Sequence, residues 1–211
     1  MQLASPQSLQ AAVDHLSAHD PVLRPIIARA GLAEIKPHTN YYGALVSSNV
    51  SQQLSVKVAD VIEGRFLELF DGKFPTPKEI LSVDVEQLRA IGFSYAKGRY
   101  VHDLAQHIID GRITFDRIPQ QSNEEIITQL TDVKGIGEWT VHMFLMFCVG
   151  RLDVLPVGDL GIKNGIRELY GFEDMPTPAQ ITELAEKNHW GPYQSVASWY
   201  VWHSLDNKPV I

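Results

Sequence analysis

A single cysteine in 211 residues, Cys148, rules out an internal disulfide and any metal cluster built on cysteine thiolates. Flanked by Phe147 and Val149, it reads as a buried, inert thiol. No apolar run approaches the ~20 residues that a membrane-spanning helix needs. The longest, Val141 to Val149, is broken by His142 and reads as a buried helix, so no membrane association is expected. The first residues, MQLASPQSLQAAVDHL, lack a basic stretch followed by an apolar one, and no secretory leader is expected. The expected setting is a reducing one: cytoplasm and nucleoid, or the nucleus of a eukaryote. Dense runs of Lys and Arg are absent too, and the net charge is −7. Arg89, Lys97, Arg99, Arg112 and Arg117 are interspersed with Asp103, Asp110 and Asp116, so a polyanionic partner would have to meet a local positive face. The eight histidines are scattered, and none forms a spaced ligand pair with acids for a divalent metal. No internal repeat or low-complexity tract is present. No strand-like alternation is convincing; Ile113-Thr114-Phe115 is the best case and too short.

What is present is helical. The composition, 45% hydrophobic and 20% charged, is that of an ordinary globular chain. Capping signatures stand ahead of apolar-periodic segments at Thr76-Pro77-Lys78-Glu79, Ser122-Asn123-Glu124-Glu125 and Thr177-Pro178-Ala179-Gln180. Each has Ser or Thr at the cap with Glu or Gln three residues later, and two have Pro at the first helical position. Helices are expected near 7–18, 21–30, 42–49, 51–70, 77–82, 84–90, 95–110, 122–131, 137–148, 159–169, 178–187 and 193–205, some of them merging. The fold class is therefore all-α. Linker-like stretches run from Gly31 to Thr39 and, extended, from Leu152 to Val157.

The segment from Leu130 to Gly165 carries the chemistry. Lys134-Gly135-Ile136-Gly137 forms a turn between two helices, and the second helix, led by Trp139, begins with backbone N–H groups that have no intrahelical partner. Such a terminus suits an anion, a phosphate above all. Taken singly, Gly-x-Gly is also a plain interhelical turn, and Asp159, after Gly158 and before Leu160, is also a helix N-cap. Together, a phosphate grip and a lone carboxylate point to chemistry on a nucleic acid.

This segment resembles the signature of the helix-hairpin-helix DNA glycosylase superfamily, and within it the 3-methyladenine DNA glycosylase II (alkylbase glycosylase) family. Ser48-Asn49-Val50-Ser51-Gln52-Gln53-Leu54-Ser55, Gly92-Phe93-Ser94-Tyr95-Ala96-Lys97 and the stretch from Trp190-Gly191-Pro192-Tyr193 to Trp202 extend the resemblance over residues 40 to 205. It implies two helical lobes with a cleft between them: residues 41–153, with the helix-hairpin-helix at about 130–148, and residues 1–40 plus 154–211. The stretch before Tyr41 is too short for the β-rich domain of the family's longer members.

The implied activity is a monofunctional DNA glycosylase that flips out alkylated purines (3-methyladenine, 7-methylguanine type) and hydrolyses them from double-stranded DNA to leave an abasic site. A noncatalytic DNA-binding module, or a glycosylase for deaminated or oxidised bases, is the alternative. Losing the base builds positive charge on the deoxyribose, which a carboxylate beside the sugar stabilises. The resemblance gives that role to Asp159; Asp153 is the rival, structural in its apolar context. Strand-cutting relatives place a Schiff-base lysine two residues after the second glycine, where this chain has Trp139, so no lyase step is expected. Trp139 and Trp202 align with base-pocket tryptophans, Met143 stands where a tyrosine is frequent, and Tyr42 is placed at the cleft mouth. Trp190, Tyr193 and Trp199 are weaker pocket candidates. The wedge that fills the gap of the flipped base is Tyr95 or Phe93. Lys134, Gly135, Gly137 and Thr140 are the phosphate contacts, and Gln53 is a further amide near the cleft. No cofactor is required and no iron–sulfur cluster is expected. A structural Na+ or K+ on the carbonyls of Thr131, Val133 and Gly135 is implied, and the protein is expected to be a monomer.

Overall fold

A helix start must find partners for its orphan N–H groups, and among the described residues five do so by a reciprocal capping box. Thr76 N donates to Glu79 Oε2 (2.7 Å) and Glu79 N to Thr76 Oγ1 (3.3 Å), and Ser122–Glu125 and Thr177–Gln180 repeat the exchange. Asp84–Gln87 and Ser5–Ser8 form two more boxes, the latter with Ser in place of the longer acceptor. The computed structural model describes residues 2–52 and 54–205. In chain order the helices are α1 (Pro6–His19), α2 (Arg24–Ala30), α3 (Tyr41–Ser51), α4 (Val56–Glu68), α5 (Pro77–Ser82), α6 (Val85–Ala90), α7 (Tyr95–Ile109), α8 (Asn123–Thr131), α9 (Glu138–Met143), α10 (Leu160–Tyr170), α11 (Pro178–Lys187) and α12 (Gln194–Ser204). A 3₁₀ turn occupies Phe115–Arg117, and a π-helical turn, Phe144–Val149, follows α9 directly. Among the described residues there is no strand, only the isolated bridge between Leu3 and Arg151.

The chain forms two compact units, residues 39–144 and residues 1–38 with 145–211. The second boundary falls inside the π-helical turn, at 144/145, and not at 153/154 as the extended segment suggests. The reason is hydrogen bonding: His38 N donates to Cys148 O (3.0 Å), Ala4 N to Gly150 O (2.7 Å) and Leu152 N to Gln2 O (3.3 Å), tying 148–152 to the N-terminal residues.

In the central unit α7 is the longest helix and packs on α5 and α6. Its core holds Phe66, Ile80, Leu88, Val101, Leu104, Ile126 and Leu130. One boundary departs from the sequence pattern. A helix expected from 51 starts only at Val56, because Lys97 Nζ takes the carbonyls of Val50 (2.8 Å) and Gln52 (2.7 Å) and ends α3 there.

In the terminal unit α12 is buried without interruption from Ser195 to Trp202, as befits a helix surrounded by others. α10, α1 and α2 pack against it, and Tyr200 Oη donates to Gly31 O (2.7 Å) at the end of α2. Asp20, fully buried after α1, accepts Val22 N and Leu23 N on Oδ1 and Tyr170 Oη (2.6 Å) and Trp190 Nε1 (2.7 Å) on Oδ2. Trp190 is thereby a core residue and not a base contact.

Candidate functional site

In the central unit the turn between α8 and α9 is fastened by one face of α7. Tyr100, Asp103 and His107 lie at i, i+3 and i+7, which a helix places on one side. His107 Nε2 lies 3.0 Å from Asp132 Oδ2, at the end of α8. Asp103 Oδ2 accepts the backbone N–H of Lys134 (2.9 Å), and the Tyr100 ring lies under Gly135. Gly135 has φ +85°, and a Cβ there would overlap that ring. Ile136 N donates to Val133 O (3.1 Å), and Gln52 Nε2 reaches Gly135 O (3.1 Å). Val133 and Ile136 are buried and anchor the turn from below.

The orphan N–H groups expected at the turn therefore exclude that of Lys134, which is spent internally; its exposed ammonium lies 3.9 Å from Asp103 Oδ1. The first backbone bond of the helix runs from Val141 N to Gly137 O, after the N–H groups of Glu138 and Thr140. Gly137 caps the helix without a side-chain bond, and the space where its Cβ would be is open. The Thr140 side chain is buried, which leaves only its backbone for an anion. A groove of about 610 Å³ beside the turn is lined by Arg99, His102, Asp103 and Lys134 among others.

Trp139 is 44% exposed, on a helix whose next four residues are buried. Met143 is among those four. So is His142, 3.6 Å from Glu138 Oε1, where burial holds its pKa below the usual value against the pull of Glu138. Tyr42 packs on Phe74 (5.6 Å between ring centres) and Phe115 (6.5 Å). Its hydroxyl is buried without a hydrogen-bond partner, and burial, with Glu79 nearby, raises its pKa.

The two wedge candidates separate. Phe93 is buried against Phe66 (5.4 Å) and plugs the core, which removes it from the surface a wedge must occupy. Tyr95, the first residue of α7, is 47% exposed; Arg89 covers its ring at 3.8 Å and its hydroxyl donates to Glu86 Oε1 (3.0 Å). Gln53 lies outside the described residues.

In the terminal unit Asp159 is the N-cap of α10: its Oδ1 accepts Ile162 N (2.7 Å). The same oxygen accepts Trp202 Nε1 at 2.8 Å. Trp202 is 4% exposed and packs on Phe147 (6.0 Å). Asp153 stands between Leu152 and Val154, which Ser195 of α12 pins through Ser195 N to Leu152 O (2.9 Å) and Val154 N to Ser195 Oγ (3.0 Å). Trp199 stacks on His203 (5.0 Å, 11°), and Tyr193 borders His15 (5.3 Å). The structure thus joins Asp159 with Trp202, and Trp139 with Met143 and the hairpin. Asp103 is the part that sequence spacing did not single out, since its partner lies 31 residues away; Gln52, a cleft amide beside Gln53 in the resembling motif, instead holds the turn.

The model of the HhH-GPD superfamily of base excision DNA repair proteins matches residues 46–189. DNA-3-methyladenine glycosylase 1 of Schizosaccharomyces pombe is 38% identical over 202 residues, which are 92% of this chain and 87% of that protein. Among solved structures, a DNA-3-methyladenine glycosidase from Bacillus halodurans matches with a TM-score of 0.83 and 36% identity, over 97% of this chain and 92% of that one. The 3-methyladenine DNA glycosylase of Schizosaccharomyces pombe in complex with abasic DNA matches with a TM-score of 0.78 and 35% identity, over 95% of this chain and 99% of that one. With the family's pattern running through both the hairpin and Asp159, and relatives this similar over nine-tenths of the sequence, the chain belongs to the HhH-GPD superfamily of base excision DNA repair proteins.

Proposed function

We propose that this protein is a monofunctional DNA glycosylase that hydrolytically releases alkylated purines from double-stranded DNA, acting as a monomer in the compartment that holds the genome. The observation that carries the reading is Asp159, a carboxylate fixed at a helix N-terminus by two donors on one oxygen. Base loss generates oxocarbenium character at the sugar, and a preoriented carboxylate stabilises that charge and directs water to it. Alkylated purines are cationic while attached and leave as neutral bases, so the reaction needs little acid assistance and one carboxylate suffices. The exposed indole of Trp139 suits such a cation, an attraction of ~0.5–2 kcal/mol. Met143 and the unpartnered hydroxyl of Tyr42 would line the base pocket beside it.

Position 139 carries no amine, so no Schiff base forms there. Tyr95 is the wedge, being the exposed one of the two aromatic residues in its loop. The backbone at Gly137 and Thr140, with the Lys134 ammonium, receives a DNA phosphate; Gly135 shapes the turn that presents them. The carbonyls of Thr131, Val133 and Gly135 fit a monovalent cation, Na+ or K+: Val133 and Gly135 each accept one bond within the protein, and a carbonyl oxygen has two lone pairs. Bound there, the ion would offset phosphate charge next to the turn.

The test is a panel of lesion-bearing duplexes assayed for base release, followed by alkali. Asp159→Asn is expected to lose at least ~100-fold in release with DNA affinity kept, since the carboxylate acts mainly on the transition state. DNA binding without alkali-labile sites in the wild type would instead indicate a noncatalytic module.

A further inference from the structure

The second residue of α10 is Gly161, and no backbone demand explains it. Its φ is not in the left-handed region, and glycine weakens a helix by roughly 0.5–1 kcal/mol relative to alanine. Space explains it. A Cβ at Gly161 would stand 2.9 Å from both Cδ1 and Nε1 of Trp202, closer than a real Cβ tolerates, and a tight 3.0 Å from Asp159 Oδ1. One turn later, a Cβ at Gly165 would overlap the Val201 side chain and meet the Val201 carbonyl oxygen at 3.1 Å. Residues i and i+4 share a helix face, so α10 turns a side-chain-free face toward α12 at these two points, and α12 lies against it. Trp202 is then near enough to donate its indole N–H to Asp159 Oδ1 at 2.8 Å. Buried on Phe147, the indole has no room to give way.

We infer that Trp202 is a positioning residue, whose indole N–H sets the orientation of the Asp159 carboxylate, and that Gly161 is the residue that lets it reach. This rests on the reading of Asp159 as the reacting carboxylate, and it gives Trp202 a task other than stacking on the flipped base. The N-cap bond from Ile162 fixes Asp159 along the helix axis, while the indole fixes its rotation about that axis. Trp139, in the other unit, keeps the base-stacking role.

Two variants test this. Trp202→Phe keeps an aromatic ring and removes the donor; Gly161→Ala keeps the donor and obstructs its approach. Each is expected to slow single-turnover base release about tenfold or more, the scale of losing one hydrogen bond to a charged acceptor. Affinity for a duplex carrying an uncleavable lesion analogue should stay within twofold of wild type. The double variant should be no slower than the worse single one, because both disrupt one contact. In the free protein, the Trp202 indole N–H resonance should move in Gly161→Ala and in Asp159→Ala.

Wild-type release by a folded Trp202→Phe protein would overturn the inference, as would losses that fall on lesion affinity in place of the rate. An inactive Asp159→Asn beside a wild-type Trp202→Phe would sink the positioning role alone. An active Asp159→Asn would sink the catalytic reading and with it the consequence for rate.

Discussion

Two glycines of one turn, Gly135 and Gly137, answer to different physics, and alanine separates them. Gly135 sits at φ +85° over the Tyr100 ring, so alanine brings both backbone strain and a collision. Gly137 has an ordinary extended cap conformation, and open space stands where its Cβ would be. Gly135→Ala is expected to destabilise the protein by about 2–4 kcal/mol, read from the urea midpoint. Gly137→Ala should melt like the wild type yet bind damaged and undamaged duplex about equally more weakly, because the new methyl stands where a phosphate must approach. A Gly137→Ala protein that loses only lesion discrimination would refute the phosphate role. In the sequence the two residues look alike; only Tyr100, 35 positions before Gly135, distinguishes them. Trp139 and Trp202 were similarly equal as letters, and folding exposes one and seats the other on a carboxylate. What makes them differ is the tertiary neighbour, which no local spacing encodes.

Helices were the legible level, because capping is a contract between residues three apart. The three boxes read from the sequence form with both bonds, and most helix limits fall within a residue or two of the periodic pattern. The pattern misled where a distant side chain intervenes, as Lys97 does at the end of α3, and where an apolar run has no polar marker to show a change of pitch, as in the π-helical turn after α9. The corner after α1 is of the same kind. Asp20 collects donors from its own turn, from Tyr170 at the end of α10 and from Trp190 beyond α11, and its hold on the tyrosine, added to burial, raises that hydroxyl's pKa. Asp20→Ala would orphan four buried or half-buried donors at once. A loss of roughly 3–5 kcal/mol is expected in urea unfolding, with α1 and α2 the first elements to lose amide-exchange protection.

At the scale of the molecule, acid should act through histidines kept neutral. Burial lowers the pKa of His142 and of His102 below 6.5, against opposing pulls from Glu138 on the first and from Val83 and Asp84 on the second. The unfolded chain then binds more protons just below that value, so stability is complete above about pH 6.5 and falls as pH drops toward the folded-state values. Urea midpoints should be flat from pH 7 to 8 and decline between pH 6.5 and 5, less steeply in His142→Gln. A second whole-molecule expectation concerns turnover. With no amine at position 139, borohydride should trap no covalent protein–DNA adduct, and strand breaks should appear only after alkali. An adduct mapped to any lysine would contradict this. The nesting of residues 39–144 between the two halves of the other unit has a consequence for synthesis. α1 and α2 leave the ribosome long before α12, which begins only at Gln194, yet bury their apolar faces against it. At ~5–20 residues per second, the 164 positions from Ala30 to Gln194 keep Leu9, Leu16, Ile26 and Ile27 waiting for roughly ten to thirty seconds while the middle of the chain folds. Helices made before their partner are thus the last to find it, and a growing chain offers chaperones, and aggregation, the apolar faces of α1 and α2.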